Sequence, residues 1–238
     1  MKKTIRYILL TVCVCVFCYS AYNLIQIYLN YKKIDDDYGE IAKTYTEEKE
    51  SYLQINWDEL LQRNKDVKAW IQIPNTNVNY PVLQGETNDT YIHSDIDHNE
   101  LSAGSIFIAS ENEDPFNDFN TVIYGHNMRN GSMFGTFRKL HEQSNLTSPY
   151  VWICTPKHTW RYKIFSVHTA SVTGETYTLF SMADEQFAEY LKSMKSASEL
   201  QLDAEADKDD KVITMSTCTG NSSTRFVIQA KRLEKGEN

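Results

Sequence analysis

The sequence lacks the basic excess of a nucleic-acid-binding protein. Its formal net charge is −8 at pH 7, and because residues 1–31 contribute three positive charges and no negative one, residues 32–238 carry −11. Binding to nucleic acid needs a basic face that releases phosphate counterions, so this charge argues against a nucleic-acid partner. Internal repeats and low-complexity segments are also absent, and the content of 41% hydrophobic and 24% charged residues is typical of a globular chain.

The N-terminus lacks acidic residues and contains a long apolar run. Residues 8–29 hold twenty-two positions without a charge, which as a helix span about 33 Å, close to the hydrocarbon thickness of a bilayer. The basic residues before it are Lys2, Lys3 and Arg6. Acidic residues follow at 35–37, so we expect a cytoplasmic N-terminus and an exported remainder. The alternative is a cleaved signal peptide with its site near residues 18–20, although the apolar run continues past that point.

Cysteine is scarce outside this run. Of the five cysteines, Cys13, Cys15 and Cys18 lie within it, which leaves Cys154 and Cys218. The first three are interpreted as small apolar residues, with reversible lipidation as the alternative. Two cysteines cannot form a disulfide framework, and a thiol kept in an exported chain favours a chemical role. A single bridge between Cys154 and Cys218 stays open as an alternative.

Short runs of alternating apolar and polar residues predict strands through most of the chain. Residues 67–84 predict two paired strands with a turn at 75–77. Further strands are predicted at residues 105–109, 120–124, 150–155, 159–169, 211–216 and 225–232. Many short strands with turns between them favour a barrel or a sandwich over a parallel βαβ sheet.

Helices are predicted in three places. Residues 183–196 have apolar side chains at helical spacing, and residues 57–61 form a short amphipathic segment with Asn56 as a plausible N-cap. Residues 31–56 are polar with few apolar positions, so we expect a helical stalk. The acidic segment 199–211 could hold calcium, but without EF-hand spacing or a turn-forming glycine a solvated loop is favoured.

Residues 212–231 carry the strongest chemical signal. One apolar run ends at Cys218, a polar turn follows, and Arg225 begins the next apolar run. This pattern predicts adjacent strands with Cys218 and Arg225 at the same end of the sheet. A reactive thiolate needs a cationic neighbour or a base, and the N–H donors of Arg225 suit a developing oxyanion.

Two other interpretations of this pair are weaker. Cys218 could be a core residue, but its neighbours are polar. The cysteine and arginine could also lie at the two ends of a phosphate-binding loop, as in phosphatases. In that signature five residues separate the cysteine from the arginine. Here residues 219–224 make six, and the segment after Arg225 is strand-like rather than helical.

His126 is the best candidate for a base among six histidines. It follows the predicted strand 120–124 and precedes a turn rich in Gly and Asn, a junction typical of functional imidazoles. His93 and His98 lie among carboxylates, but no cysteine or third histidine completes a metal site, so we expect a solvated loop and no metal. Structural or surface roles are expected for His141, His158 and His168, and a packed strand position for Cys154.

Two motifs resemble those of the sortase family, class B in particular. They are Tyr124-Gly125-His126-Asn127 with Gly131-Ser132-Met133-Phe134, and Ser216-Thr217-Cys218-Thr219 followed by Arg225-Phe226. The resemblance extends from about Trp57 to Leu233 and includes residues 70–85 and the helix predicted at 183–196. The two motifs together are specific for the family.

The resemblance implies a mostly β fold, a closed eight-stranded barrel with N-terminal helices and one inserted helix, preceded by a single transmembrane helix. It divides the chain into a cytoplasmic tip and anchor (1–30), a stalk and helical segment (31–66) and a catalytic barrel (67–238). It implies that Cys218 is the nucleophile, His126 the acid–base and Arg225 an oxyanion or substrate clamp. Substrate contacts are expected at Tyr124, Asn127, Ser216 and Thr217.

The implied reaction starts with attack of the cysteine on the Thr–Asn or Thr–Gly bond of a sorting signal resembling NPxTN or NPxTG. The partners would be surface proteins that bear this signal and a peptidoglycan precursor amine, with no cofactor. The enzyme would be a single-pass membrane protein with its catalytic domain outside the cell. Some relatives orient the histidine with Asn or Asp, and since residues 93–95 here are His-Ser-Asp, the identity of such a fourth member stays open.

The sequence leaves two other functions open. An exported cysteine protease would only hydrolyse the peptide; papain-like enzymes place Cys before His, whereas here His126 precedes Cys218. A non-catalytic adhesin or scaffold would carry both motifs as relics.

Overall fold

The computed structural model describes residues 2–49, 52–142 and 149–234. The chain forms two compact units, Met1–Ile41 and Ala42–Asn238. Helix α1 spans Lys2–Tyr45. Among the described residues it is the helix with the length and composition to span a membrane, with a mean hydropathy of 2.1 in its apolar window.

The second unit contains the other helices and the strands. A hairpin of β1 (Thr46–Lys49) and β2 (Tyr52–Ile55) precedes helix α2 (Trp57–Arg63). The next elements are β3 (Val67–Gln72), β4 (Asn79–Leu83), β5 (Ile106–Ile108), β6 (Asn120–Tyr124), α3 (Phe137–Glu142) and β7 (Tyr150–Cys154). The last elements are β8 (Thr159–Ser171), a short 3₁₀ helix (Glu175–Tyr177), α4 (Glu185–Ser196), β9 (Val212–Cys218) and β10 (Thr224–Arg232).

The eight strands β3 to β10, all within the described residues, close into a barrel in the order β10-β8-β7-β3-β4-β5-β6-β9. Two neighbouring pairs are parallel, β4 with β5 and β6 with β9. The predicted mostly β fold with a closed eight-stranded barrel is therefore confirmed, and the sandwich is excluded because a closed sheet has no edge strands.

The prediction of a helical stalk over residues 31–56 is wrong in its second half. Helix α1 ends at Tyr45, and β1 then pairs with β2 so that Thr46 lies opposite Ile55. Leu53 and Ile55 are buried while Gln54 between them is exposed, which is the two-residue period of a strand. The charged residues around this short pattern obscured it in the sequence.

The predicted helix at 183–196 is present as α4, which begins two residues later. Asp184 is its N-cap, and its carboxylate accepts a hydrogen bond from the backbone N–H of Phe187 at 3.0 Å. The apolar face of α4 packs against the barrel through Phe187, Leu191 and Met194, which lie in one buried cluster with Phe165 and Val212. Burying each such side chain contributes about 1.5–3 kcal/mol.

Several local predictions are also confirmed. Asn56 caps α2 and accepts from the backbone N–H of Glu59 at 3.5 Å. Asn75, in the predicted turn between β3 and β4, has φ of 63°. Cys154 is buried on β7, and all five cysteines, which lie in described segments, are free. Sequence patterns missed α3 and the 3₁₀ helix because each is too short to show a helical period.

Glu199 and Asp210 of the acidic segment 199–211 bond to groups outside the segment. Glu199 accepts from Nδ1 of His141 at 3.2 Å and from the backbone N–H of Thr169 at 2.7 Å. Asp210 forms an ion pair with Lys231 at 3.2 Å. These contacts tie the segment to the barrel and give His141 the structural role expected of it.

Candidate active site

Three strand ends bring the candidate residues to one edge of the barrel. Strands β6 and β9 run parallel with Tyr124 opposite Ser216, so both end at the same edge. His126 follows β6 by two residues, and Cys218 is the last residue of β9. Strand β10 runs antiparallel to β9 and begins at this edge, so Arg225 lies at the same edge as Cys218.

Cys218 and Arg225 are direct partners across β9 and β10. Directly opposed residues of an antiparallel pair project to the same face, with Cβ atoms about 4.5–5.5 Å apart. The thiol of Cys218 is exposed. The predicted adjacency of these two residues is therefore present, with the sulfur accessible to a substrate.

The turn between Cys218 and Arg225 is braced by its own side chains. The hydroxyls of Thr219 and Thr224 share a hydrogen bond of 2.7 Å across it. Gly220 has φ of +95°, a conformation that L side chains rarely adopt. Nη1 of Arg225 donates to the carbonyl of Thr224 at 2.8 Å and to that of Ser222 at 3.1 Å. These bonds hold the guanidinium at the rim.

His126 is oriented by a backbone carbonyl. Its Nε2 lies 2.7 Å from the carbonyl oxygen of Ile92. A carbonyl oxygen only accepts hydrogen bonds, so Nε2 carries the proton in the neutral ring and Nδ1 is the basic nitrogen. This contact fixes the tautomer of the ring, as a hydrogen bond to one nitrogen does in other functional histidines.

The environment of His126 favours its neutral form. Burial is the largest cause that lowers the pKa of the imidazole below its ordinary value; the bond to Ile92 opposes this shift, and the nearby charge of His93 adds to it. The rings of His93 and His126 are stacked with centroids 5.5 Å apart. His93 is exposed, as expected for a solvated loop, but it also contacts the candidate base.

Gly125 allows the backbone just before His126 to pass close to the side chains of the barrel wall. A Cβ placed on it would lie 2.4 Å from Cδ1 of Ile106 and 2.8 Å from Cδ2 of Phe134, both inside contact distance. Its backbone N–H donates to the carbonyl of Ser216 at 3.2 Å, which continues the pairing of β6 with β9 beyond Tyr124. The glycine therefore allows His126 to lie close to the barrel wall.

Cys218, His126 and Arg225 line one cleft of about 270 Å³, which we call the His126 cleft. Its other lining residues are Asn88, Asp89, Ile92, Phe107, Tyr124, Gly125, Ser216 and Thr217. The lining of the cleft is mostly apolar with a few polar groups, as is typical of a ligand-binding site.

The four predicted substrate contacts divide into two groups. Tyr124, Ser216 and Thr217 line the His126 cleft. The hydroxyl of Ser216 is 2.9 Å from the hydroxyl of Tyr177, and burial raises the pKa of Tyr124 to about 12, so its hydroxyl stays protonated. Asn127 lies outside this cleft, where its Nδ2 donates to the carbonyl of Cys218 at 2.6 Å.

Sequence reasoning missed Ile92 and Tyr177. A backbone carbonyl is common to every residue and leaves no mark in the sequence, and Tyr177 lies in a short 3₁₀ helix. Asp95, in the segment for which the sequence leaves a fourth catalytic member open, accepts hydrogen bonds from the backbone N–H groups of Asp97 and Asn99, both at 2.8 Å. The carboxylate of Asp95 therefore bonds within its own loop, and the group that bonds to the His126 ring is the Ile92 carbonyl.

Comparison with known proteins identifies relatives across most of the chain. The family model of the sortase domain matches residues 71–233. The sortase B of Listeria monocytogenes is 34% identical over 187 residues, which cover 74% of each chain. The crystal structure of sortase B from Bacillus anthracis covers 87% of this chain and all of its own, with a TM-score of 0.77 and 25% identity. That from Clostridium perfringens covers 75% of this chain and all of its own, with a TM-score of 0.69 and 32% identity.

These matches confirm the resemblance carried by the two motifs. They include both the strand that ends beside His126 and the strands that hold Cys218 and Arg225. The barrel, the two motifs and the matched relatives agree, and the chain belongs to the sortase family of cysteine transpeptidases, in class B.

Proposed function

We propose that this enzyme cleaves a C-terminal sorting signal after its threonine and transfers the protein to an amine of the cell-wall peptidoglycan. The observation that carries the proposal is the meeting of Cys218, His126 and Arg225 at one cleft from three separate strand ends. Members of the family are cysteine transpeptidases, and Cys218 is the exposed cysteine in the barrel whereas Cys154 is buried.

In the first step the sulfur of Cys218 attacks the threonine carbonyl of the signal. Its proton passes to Nδ1 of His126, the nitrogen that the Ile92 contact leaves basic. The carbonyl oxygen becomes an oxyanion, which the guanidinium of Arg225 stabilises by charge and hydrogen bonding. The C–N bond then breaks, His126 returns the proton to the leaving amine, and a thioester on Cys218 remains.

In the second step an amine attacks the thioester carbonyl. The C–S bond breaks, an amide forms, and the proton lost by the amine returns to Cys218 through His126. The same groups therefore serve both half-reactions in opposite directions, as microscopic reversibility requires.

The proposed donors are surface proteins whose signal resembles NPxTN or NPxTG, and the proposed acceptor is a peptidoglycan precursor. We assign residues 1–30 to a cytoplasmic tip and membrane anchor, 31–66 to a stalk and helical segment, and 67–238 to the catalytic domain. The apolar length of α1 supports this assignment. A single-pass anchor with a cytoplasmic N-terminus would hold the catalytic domain at the outer surface, beside exported proteins and membrane-bound precursors.

The proposal is tested with the full chain in detergent micelles. Peptides that contain NPxTN, NPxTG or a scrambled sequence are incubated with and without triglycine, and the products are identified by mass spectrometry. We expect ligation of the fragment ending in threonine to triglycine for at least one signal peptide, and none for the scrambled peptide. If a saturating amine yields only the hydrolysed fragment, the enzyme is an exported protease instead.

A further inference from the structure

A second cleft meets the His126 cleft at the nucleophile. It has a volume of about 800 Å³, and Cys218 lines both clefts. Its wall is formed by the loop after His126, the start of α3 and the turn after Cys218. We call it the Arg129 cleft.

The Arg129 cleft is basic. Arg129, Arg138 and Lys139 line it, and all three side chains are exposed. Among its lining residues in the described part of the chain there is no Asp or Glu. This local charge contrasts with the net charge of −8 of the whole chain, and a cleft lined by one sign of charge concentrates ligands of the opposite sign.

The loop that carries Arg129 is held in place by its neighbours. Asn127 pairs with Met133 in an isolated β-bridge. Nδ2 of Asn77 donates to the carbonyl of Gly131 at 3.4 Å, and Oδ1 of Asn130 accepts from the hydroxyl of Ser132 at 2.8 Å. The cleft is therefore preformed, which lowers the entropy that a ligand must lose on binding.

Asn127 connects this cleft to the reacting group. Its side chain lines the Arg129 cleft and donates to the carbonyl of Cys218, whereas the residue before it, His126, lines the other cleft. An acyl chain that is attached to Cys218 and lies in the His126 cleft would leave the Arg129 cleft open. An incoming amine could then reach the thioester from that second direction.

We propose that the Arg129 cleft binds the amine acceptor through anionic groups of the acceptor, either carboxylate or phosphate. This rests on the proposed function, because it assigns the second substrate of that reaction. Guanidinium groups match carboxylate and phosphate oxygens with paired donors.

The test measures the acceptor KM at a saturating concentration of signal peptide, with the full chain in micelles. The variants are Arg129→Gln, Arg138→Gln and Lys139→Gln, singly and together, and the matched control is Lys192→Gln, an exposed lysine of α4 that lines neither cleft. The acceptors are triglycine, triglycine amide and phosphoethanolamine. The first carries a carboxylate, the second has no anion, and the third carries a phosphate.

We expect each single variant to raise the KM of the anionic acceptors about threefold, as for an exposed charge pair, and the triple variant to raise it more than about tenfold. The effect should shrink as salt is added. The KM of triglycine amide and the hydrolysis rate without an acceptor should not change. A larger effect on triglycine assigns the cleft to carboxylate, and a larger effect on phosphoethanolamine assigns it to phosphate.

Two results would overturn the inference. One is an unchanged KM for both anionic acceptors in the triple variant. The other is an equal rise in KM for triglycine amide, which would indicate a general distortion of the site. Neither result bears on the proposed function, which fails if the wild-type enzyme forms no thioester with any signal peptide or if a saturating amine yields only the hydrolysed fragment.

Discussion

Cys218 and Arg225 lie directly opposite each other across β9 and β10, although six residues separate them in the sequence. The strands end at this pair, so both side chains lie at the rim of the barrel. A permanent cation is thereby placed beside the exposed thiol, where the proposed reaction would develop negative charge.

We predict that Arg225→Lys lowers kcat/KM for signal-peptide cleavage about 100-fold, in the range found when one oxyanion donor is lost. Lysine keeps the charge but lacks the planar fork of donors. The measurement is steady-state cleavage of a quenched peptide. Arg232→Lys, at the far end of the same strand, is the matched control and should stay near wild type; a similar loss in both would point to damage of β10.

Cys218→Ala and His126→Ala should each abolish cleavage, because one removes the proposed nucleophile and the other its proposed proton carrier. Cys154→Ala is the control, since that thiol is buried on β7 and should affect stability rather than chemistry. Intact-mass analysis after incubation with peptide should detect a thioester in the wild type and in Cys154→Ala. Activity retained by Cys218→Ala would refute the assignment of the nucleophile.

The pH dependence should reflect the lowered pKa of His126. Because burial and His93 favour the neutral ring, we expect protonation only below the ordinary value of 6.5. In the unfolded chain the ring binds its proton at higher pH, so the contribution of His126 to stability is present above about 6.5 and is lost as the pH falls. The cleavage rate should decline in the same direction, because the base is lost.

His93→Gln tests the cause of this shift. It removes a nearby positive charge, so the pKa of His126 should rise and the acid limb of kcat/KM should move to higher pH. The measurements are an NMR titration of the His126 ring and a pH–rate profile. A pKa of His126 that stays the same or falls in this variant would disprove a charge effect of His93.

Gly125→Ala should reduce both stability and activity. The added methyl would meet Ile106 and Phe134 inside contact distance, and such overpacking costs about 1–3 kcal/mol of unfolding free energy. Gly39→Ala is the matched control, because a methyl added at this position of α1 would meet nothing within 4 Å. Urea unfolding and peptide cleavage are measured for both, and equal stability of the two variants would contradict the steric argument.

The proposed N-terminal anchor predicts how the protein fractionates. The full chain should sediment with membranes and withstand extraction with carbonate, and its mass should show an intact N-terminus. External protease should digest the catalytic domain of whole cells and leave the N-terminal tip. A mature chain that begins shortly after Ser20 would show that residues 8–29 act as a cleaved signal peptide.

Local sequence patterns predict most of the fold. The strands from β3 to β10 lie within a few residues of their predicted positions, because each alternates or carries a short apolar run between turn residues. Among the strands, the exception is the hairpin at Thr46–Ile55, where a strand pattern of only a few residues is surrounded by charged positions. The charged composition of this segment led to the prediction of a helical stalk, whereas pairing between the two short strands determines the structure.

By itself the sequence predicted which side chains carry the chemistry, since thiol, imidazole and guanidinium are properties of residues and the two motifs are local. The tertiary structure decided how they meet. The parallel pairing of β6 with β9 brings the loop after Tyr124 to Cys218, so that Asn127 bonds a carbonyl 91 residues away. It also decided that Ile92 orients His126, because a backbone carbonyl has the same chemistry in every residue and only its position in space distinguishes it.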